Sequence, residues 1–300
     1  MTEYRSGIIE AGLEKGGRVL AQGVEFCLQS GRTLALIGES GSGKTTVAYS
    51  VMKLLPKNVT AKGLRFVLNG EDLSDRKSIR RYLGDKIVYI PQSGFECLNP
   101  SRKIKFQIYD TLKKLGYPKY ERVIRTLQTL NSVGFSNPEE IMEKYPFELS
   151  GGMAQRVVIA IAACASPELV IADEPTNGLD KADREEFFGL MNGLFSKAAK
   201  LLITHDVSVA RTADECIVLC KGKVMEKGNA RGVLSCPRSP YTRALMGSLI
   251  ENGMREVPRL RSGESRCPFY SRCVQAGQKC LNGEIPIKED GGVYYACALC

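Results

Sequence analysis

The sequence predicts an α/β fold, and three observations carry the prediction. Short apolar runs alternate with segments of helical period; the run Thr33 to Ile37 opens directly into the glycine-rich stretch GESGSGKT at 38–45; and a second run, Leu169 to Ala172, ends in the carboxylate pair Asp173 and Glu174. With 300 residues, 43% hydrophobic and 25% charged, the chain is long enough for one large domain with a small appendage.

Taken in order, TLALI at 33–37 reads as a buried strand feeding the helix-period segment TTVAYSVMKLL, which Pro56 stops. Lys86 to Ile90, Leu169 to Ala172, Lys200 to Thr204 and Glu215 to Leu219 read as further buried strands. Between them a helical insert is expected over about 96–165, with Ile104, Ile108, Leu112 and Leu115 on one helical stripe and Val123, Leu127 and Leu130 on another. After about residue 250 the texture becomes polar and rich in Gly, Pro and Arg, so a linker leads into a cysteine-bearing tail at 251–300. The longest apolar run, Val157 to Ala165, is far short of the ~20 residues of a membrane helix, and the N-terminus lacks the build of a secretory signal, so a cytosolic location is expected.

The net charge of +9 attracts anions in general, phosphates and lipid headgroups alike. Arg102 to Arg125 holds eight basic residues against Asp110 and Glu121, and a second basic stretch covers 255–272. No aromatic RNA-binding pattern interleaves them, which favours a solvated or membrane-facing surface over a nucleic-acid partner.

Four features carry chemistry. In GESGSGKT the glycines let backbone amides turn inward as a phosphate cradle, and the following helix N-terminus adds partial positive charge. Gly38, Ser40, Gly41, Gly43, Lys44, Thr45 and Thr46 are the candidates, with Lys44 reaching the β and γ phosphates and the Thr45 hydroxyl ligating magnesium. Asp173 is placed to hold magnesium and Glu174 to take a proton from an attacking water, at the strand edge where open α/β sheets bind ligands. LSGGMAQR at 149–156 offers Ser150 as a helix cap and Gly151 and Gly152 as backbone open to an anion. With only one GxxxxGKT present, a site shared between chains is the simpler reading of this second turn. His205, the chain's one histidine, follows the apolar run LLIT and so stands at the same strand edge.

Together these residues resemble the ATP-binding subunits of ABC transporters, over about residues 16 to 250. The matching parts are GESGSGKT (Walker A), Gln92 in YIPQSG (the Q-loop), LSGGMAQR (the family signature), LVIADE (Walker B), GLD at Gly178 to Asp180 (the D-loop) and His205 (the switch histidine). The resemblance implies a P-loop NTPase of ABC type at 1–250 with the helical subdomain inside it. It also implies a head-to-tail sandwich in which Walker A of one chain and Ser150, Gly151 and Gly152 of its partner enclose each ATP. Gln92 would sense the γ-phosphate and magnesium while touching the membrane partner, and His205 would steady the γ-phosphate and the water. CLNPSRK at 97–103 and CPRSPYTRALMGSL at 236–249 resemble the oligopeptide, dipeptide and nickel branch of ABC importers. That branch implies a heterodimer of ATPase chains beneath two transmembrane permease subunits, fed by an extracytoplasmic substrate-binding protein, with no nucleic acid involved. The chain departs from the family where an aromatic ring stacks on adenine: the neighbourhood reads LEKGGRVLA, leaving adenine to another residue such as Tyr4.

Five of the eleven cysteines fall in the last 34 residues. An odd count without a secretion signal disfavours a disulfide framework, and Cys27, Cys97, Cys164, Cys216, Cys220 and Cys236 are expected as small packing residues. Cys267, Cys273, Cys280 and Cys297 match the tail pattern that in the same importer branch is associated with a 4Fe–4S cluster; four thiolates can equally hold zinc, or no metal at all. Cys300 stays unassigned. The expectation is a peripheral ATPase at the cytoplasmic face of the membrane that powers uptake of peptides, nickel or a metal chelate. The competing readings are a soluble ABC ATPase acting on nucleic acid or ribosomes, and a binding-only subunit paired with an active one.

Overall fold

A computed structural model describes residues 3–4, 8–9, 13–15, 18–59, 65–177, 179, 181–249, 252–257, 260–262, 265–282 and 285–299. The chain divides into two compact units, one built from 29–31 and 77–201, the other from 2–28, 32–76 and 202–300.

The first unit holds the parallel pair Ile87–Ile90 and Leu169–Asp173, in register from Ile87 opposite Leu169 to Ile90 opposite Ala172. All five residues of the second strand are buried, which explains why the sequence there is continuously apolar rather than alternating. The insert is helical, as its periodicity predicts, with helices Ile104–Lys114, Lys119–Ser132, Pro138–Glu143 and Gly151–Ala163. Ile104, Ile108 and Leu112 are buried together. The stripe on the next helix is buried only from Thr126 through Leu130 to Val133; Val123, toward the other end of that helix, is 46% exposed.

In the second unit Thr33–Ile37 runs parallel to Glu215–Cys220, with Leu34 opposite Glu215 and Ile37 opposite Val218. Glu215–Cys220 turns back into the antiparallel strand Lys223–Asn229 through Lys221 and Gly222, both at positive φ, the conformation a two-residue hairpin with native twist requires. The cysteine-bearing tail extends this unit's strands. Its hairpin Ile287–Asp290 and Val293–Ala296 turns at Gly291 and Gly292, again both at positive φ, and sets Tyr294 and Tyr295 opposite Lys227 and Glu226. Phe269, Cys273 and Val293 join Ile37, Val218 and Tyr241 in one hydrophobic cluster.

Of the cysteines expected as packing residues, Cys216 and Cys220 are buried, and burial pushes each thiol up to about 12. Cys164 is half-buried, whereas Cys27, Cys97 and Cys236 are exposed. They lie at strand and helix margins, where the apolar pattern does not separate a core position from a surface one.

PRSPYTRAL folds around a buried carboxylate. Glu226, fully buried, accepts the backbone N–H of Arg238 at 2.8 Å and of Ser239 at 2.9 Å, and the Ser239 hydroxyl caps helix Pro240–Gly247 through the Tyr241 N–H. Glu226→Ala removes the acceptor for both N–H groups, and a loss of about 2 kcal/mol or more in unfolding free energy is expected by urea denaturation. Glu226→Gln, which keeps one oxygen, should lose less.

Candidate functional site

The phosphate loop forms in the second unit. Gly43 at φ 102° stands before helix Lys44–Val51, whose first turn carries no acidic residue, so nothing on the helix competes with an anion for its N-terminal charge. Two glycines are required by space as well as by φ: a Cβ on Gly38 would lie 2.2 Å from the Leu219 carbonyl oxygen, and one on Gly43 would lie 2.4 Å from that of Leu20. Lys44 is buried, and its ammonium donates to the carbonyls of Gly38 at 2.8 Å and Glu39 at 3.1 Å, which holds it along the loop. Ser40, Gly41 and Thr45 are exposed and Thr46 is half-buried. His205, in the same unit, is exposed on the turn after strand Ala199–Thr204. That turn is held by the Asp206 N–H donating to Thr204 Oγ1 at 2.9 Å and by the Asp206 carboxylate capping the next helix.

The first unit carries the carboxylates and the signature. Asp173 is buried at the end of its strand and accepts the Tyr89 hydroxyl at 3.3 Å. Glu174 follows at φ 48°, a left-handed conformation that costs a residue with a side chain on the order of 1 kcal/mol and turns the backbone sharply away from the strand axis. Ser150 caps helix Gly151–Ala163 by accepting the Met153 N–H at 3.2 Å, and a Cβ on Gly151 or Gly152 would meet nothing within 4 Å, so both backbones are open to approach. Gln92, exposed, lines with Ser150, Gly151, Gly152 and Asn177 a single cleft of about 630 Å³. The two segments are tied by Gln155, whose buried amide donates to the Pro91 carbonyl at 3.2 Å, and by the close approach of Gly94 to Ala154. Gly178 and Asp180 of GLD, Cys300 and the Tyr4 side chain lie outside the described residues.

Three contacts on these residues have no signal in the sequence: Tyr89 on Asp173, Gln155 on Pro91, and Arg272 on Glu39 of the phosphate loop, at 2.7 and 2.6 Å. Each joins residues far apart in the chain and of ordinary type.

In the tail, Cys273, Cys280 and Cys297 are buried and Cys267 is half-buried, none of them in a disulfide. Burial, together with the neighbouring thiols, raises Cys267 and Cys273 above the ordinary cysteine range. The donor chemistry suits a soft metal, and the neighbouring tail thiols act electrostatically on Cys267 and Cys273. A closed coordination shell is not formed: among the described residues no group of three or more His, Cys, Asp or Glu is set out to hold a metal ion. The same residues contain no helix long and apolar enough to cross a membrane.

The ABC transporter family profile matches residues 21–177, and that of the oligopeptide/dipeptide transporter C-terminal region matches 225–280. The dipeptide transport ATP-binding protein DppD of Haemophilus influenzae is 34% identical over 289 residues, spanning 91% of this chain and 88% of that protein. DppD of Escherichia coli is 36% identical over 274 residues (86% and 83%), and the oligopeptide transport ATP-binding protein OppD of Bacillus subtilis is 39% identical over 243 residues (78% and 68%). Among solved structures, the ATP-binding cassette MJ0796, a dimer in a post-hydrolysis state with ADP and phosphate, superposes with a TM-score of 0.65 at 26% identity, covering 76% of this chain and 99% of that one. The phosphate loop, the carboxylate strand end and the signature helix fall where these relatives align, and the chain belongs to the ATP-binding ATPases of the ABC transporter family.

Proposed function

We propose that this chain is the ATP-hydrolysing subunit of an importer for peptides. The observation that carries the reading is the joint presence of the ABC transporter match at 21–177 and, at 225–280, the C-terminal region of oligopeptide/dipeptide transporters. Lys44 neutralises the β and γ phosphates; Thr45, Asp173 and Gln92 hold magnesium, which, when bound, offsets phosphate charge. Glu174 takes the proton of the attacking water and His205 steadies the γ-phosphate. Ser150, Gly151 and Gly152 close over the nucleotide of a partner chain, so that ATP binding joins two subunits and hydrolysis releases them. The partner is a second, different ATPase chain, and the pair sits at the cytoplasmic face beneath two permease subunits supplied by an extracytoplasmic binding protein. Nickel or a metal chelate is the alternative cargo, since cargo is chosen by those other subunits.

The charge pattern favours a membrane complex over nucleic acid. In the basic insert Lys103 and Lys105 both pair with Glu143, at 3.0 and 2.5 Å, Arg102 pairs with Asp110, and Arg125 pairs with Glu121 at 3.0 Å. Cations already paired in this way are poor phosphate tracks.

Cys267, Cys273, Cys280 and Cys297 are the ligands we assign to a 4Fe–4S cluster, with zinc as the alternative; the metal would supply cross-links that fold the tail. The spacing of the four cysteines in the sequence and the soft thiolate donors they offer support this.

Replacing Glu174 by Gln should leave ATP binding intact and lower steady-state hydrolysis by on the order of a hundredfold or more. An E174Q protein turning over within tenfold of the parent in phosphate release would overturn the base assignment. Purified without oxygen, the full chain should be brown and carry iron; colourless protein with stoichiometric zinc, or with no metal, removes the cluster. Affinity purification from membranes should bring down permease subunits, while retention lost on nuclease treatment would support the nucleic-acid reading instead.

A further inference from the structure

Glu39, the second residue of GESGSGKT, is engaged on three sides by groups of its own unit. Its carboxylate takes two hydrogen bonds from the Arg272 guanidinium, Nη1 to Oε1 at 2.7 Å and Nη2 to Oε2 at 2.6 Å. Its backbone N–H donates to the Tyr241 hydroxyl at 3.2 Å, and its carbonyl accepts the Lys44 ammonium at 3.1 Å. Tyr241 is buried and packs edge-on against Phe269 at 5.3 Å, and Arg272 lies 5.3 Å over the face of that same ring. A paired, stacked fork of this kind is rigid, unlike an ordinary surface ion pair.

Two consequences follow for the loop. The peptide joining Gly38 to Glu39 is fixed from its N–H side, and its carbonyl, that of Gly38, together with the carbonyl of Glu39 on the next peptide, aims Lys44. In addition, Glu39 places a negative charge in the loop that must accept a polyphosphate, and Arg272 neutralises it. Without Arg272 the loop would carry an uncompensated carboxylate.

We propose that Arg272 and Tyr241 are positioning residues of the nucleotide site, so that the C-terminal region sets the affinity of the phosphate loop for nucleoside triphosphate. The inference rests on reading Gly38 to Thr46 as the nucleotide site. It concerns binding and not the chemical step, because neither residue is argued to touch the reacting atoms.

The test uses the full chain, with binding of magnesium–ATP and of a non-hydrolysable ATP analogue measured at constant salt, alongside KM and kcat. Arg272→Ala should raise Kd and KM by on the order of tenfold, as expected for one unneutralised charge on the loop that takes the phosphates, with kcat changed less than about threefold. Adding Glu39→Gln to that variant should bring Kd back to within about threefold of the parent, a reversal that general damage to the tail would not give. Tyr241→Phe should raise Kd by a smaller factor with kcat preserved. If Arg272→Ala is too unstable to purify, Arg272→Gln alone and with Glu39→Gln provides the same comparison. Single variants that bind within twofold of the parent, or a double variant no better than the single, overturn the proposal. A parent chain that binds neither nucleotide overturns instead the reading of the loop itself.

Discussion

Backbone packed against backbone at the glycine-rich loop GESGSGKT is the constraint on which the second unit depends. The Leu20 carbonyl sits in a fork between Gly43 and Gly222, where an added Cβ on either glycine would approach it to 2.4 Å. Gly222 donates its N–H to the Ser42 carbonyl at 2.8 Å and accepts the Gln22 N–H at 2.8 Å, while Gly38 abuts the Leu219 carbonyl. Three segments that are remote in sequence are thus interlocked through main-chain atoms alone. Lys44 lies along the loop, donating to the Gly38 and Glu39 carbonyls, and Thr45 stands exposed at its end.

The C-terminal region is held to this same core by specific polar contacts. Glu226 anchors the start of PYTRAL, Tyr241 carries that anchorage to Glu39, and the Gly291–Gly292 hairpin lays its strand beside Lys223–Asn229. The branch-specific stretch recognised beyond the ATPase core is therefore structural in origin. Its Ser, Pro and Tyr cap a helix whose aromatic face reaches the phosphate loop. Of the four tail thiols, Cys273 sits in this packed cluster and Cys267 lies against it, which accounts for their burial.

Most of the architecture was legible because it is written in local patterns. Continuous apolar runs marked the buried strands, and the glycine spacing of GESGSGKT between a strand-like run and a helix-period segment marked the loop. The end of an apolar run located Asp173 and Glu174. What escaped was set by tertiary context. Val123 fits the helical stripe yet is exposed, and Cys27, Cys97 and Cys236 look like their buried counterparts. The contacts of Tyr89, Gln155 and Arg272 depend on where the chain returns, which periodicity does not encode. The left-handed φ of Glu174 is likewise invisible in a residue type that seldom adopts it. One signal was present and unread: Gly291–Gly292 between two strand-like runs marks a hairpin inside the tail.

The two glycine-containing hairpins look alike in conformation, and they differ sharply in what they would tolerate. Short exposed turns are the usual places to insert a tag, a fluorophore or a new chain terminus. At Lys221–Gly222 such an insertion would enter the fork around the Leu20 carbonyl and reshape the phosphate loop. At Gly292 a Cβ meets nothing within 4 Å, so the distal hairpin is the permissive port through which this ATPase can be labelled or tethered without disturbing its nucleotide.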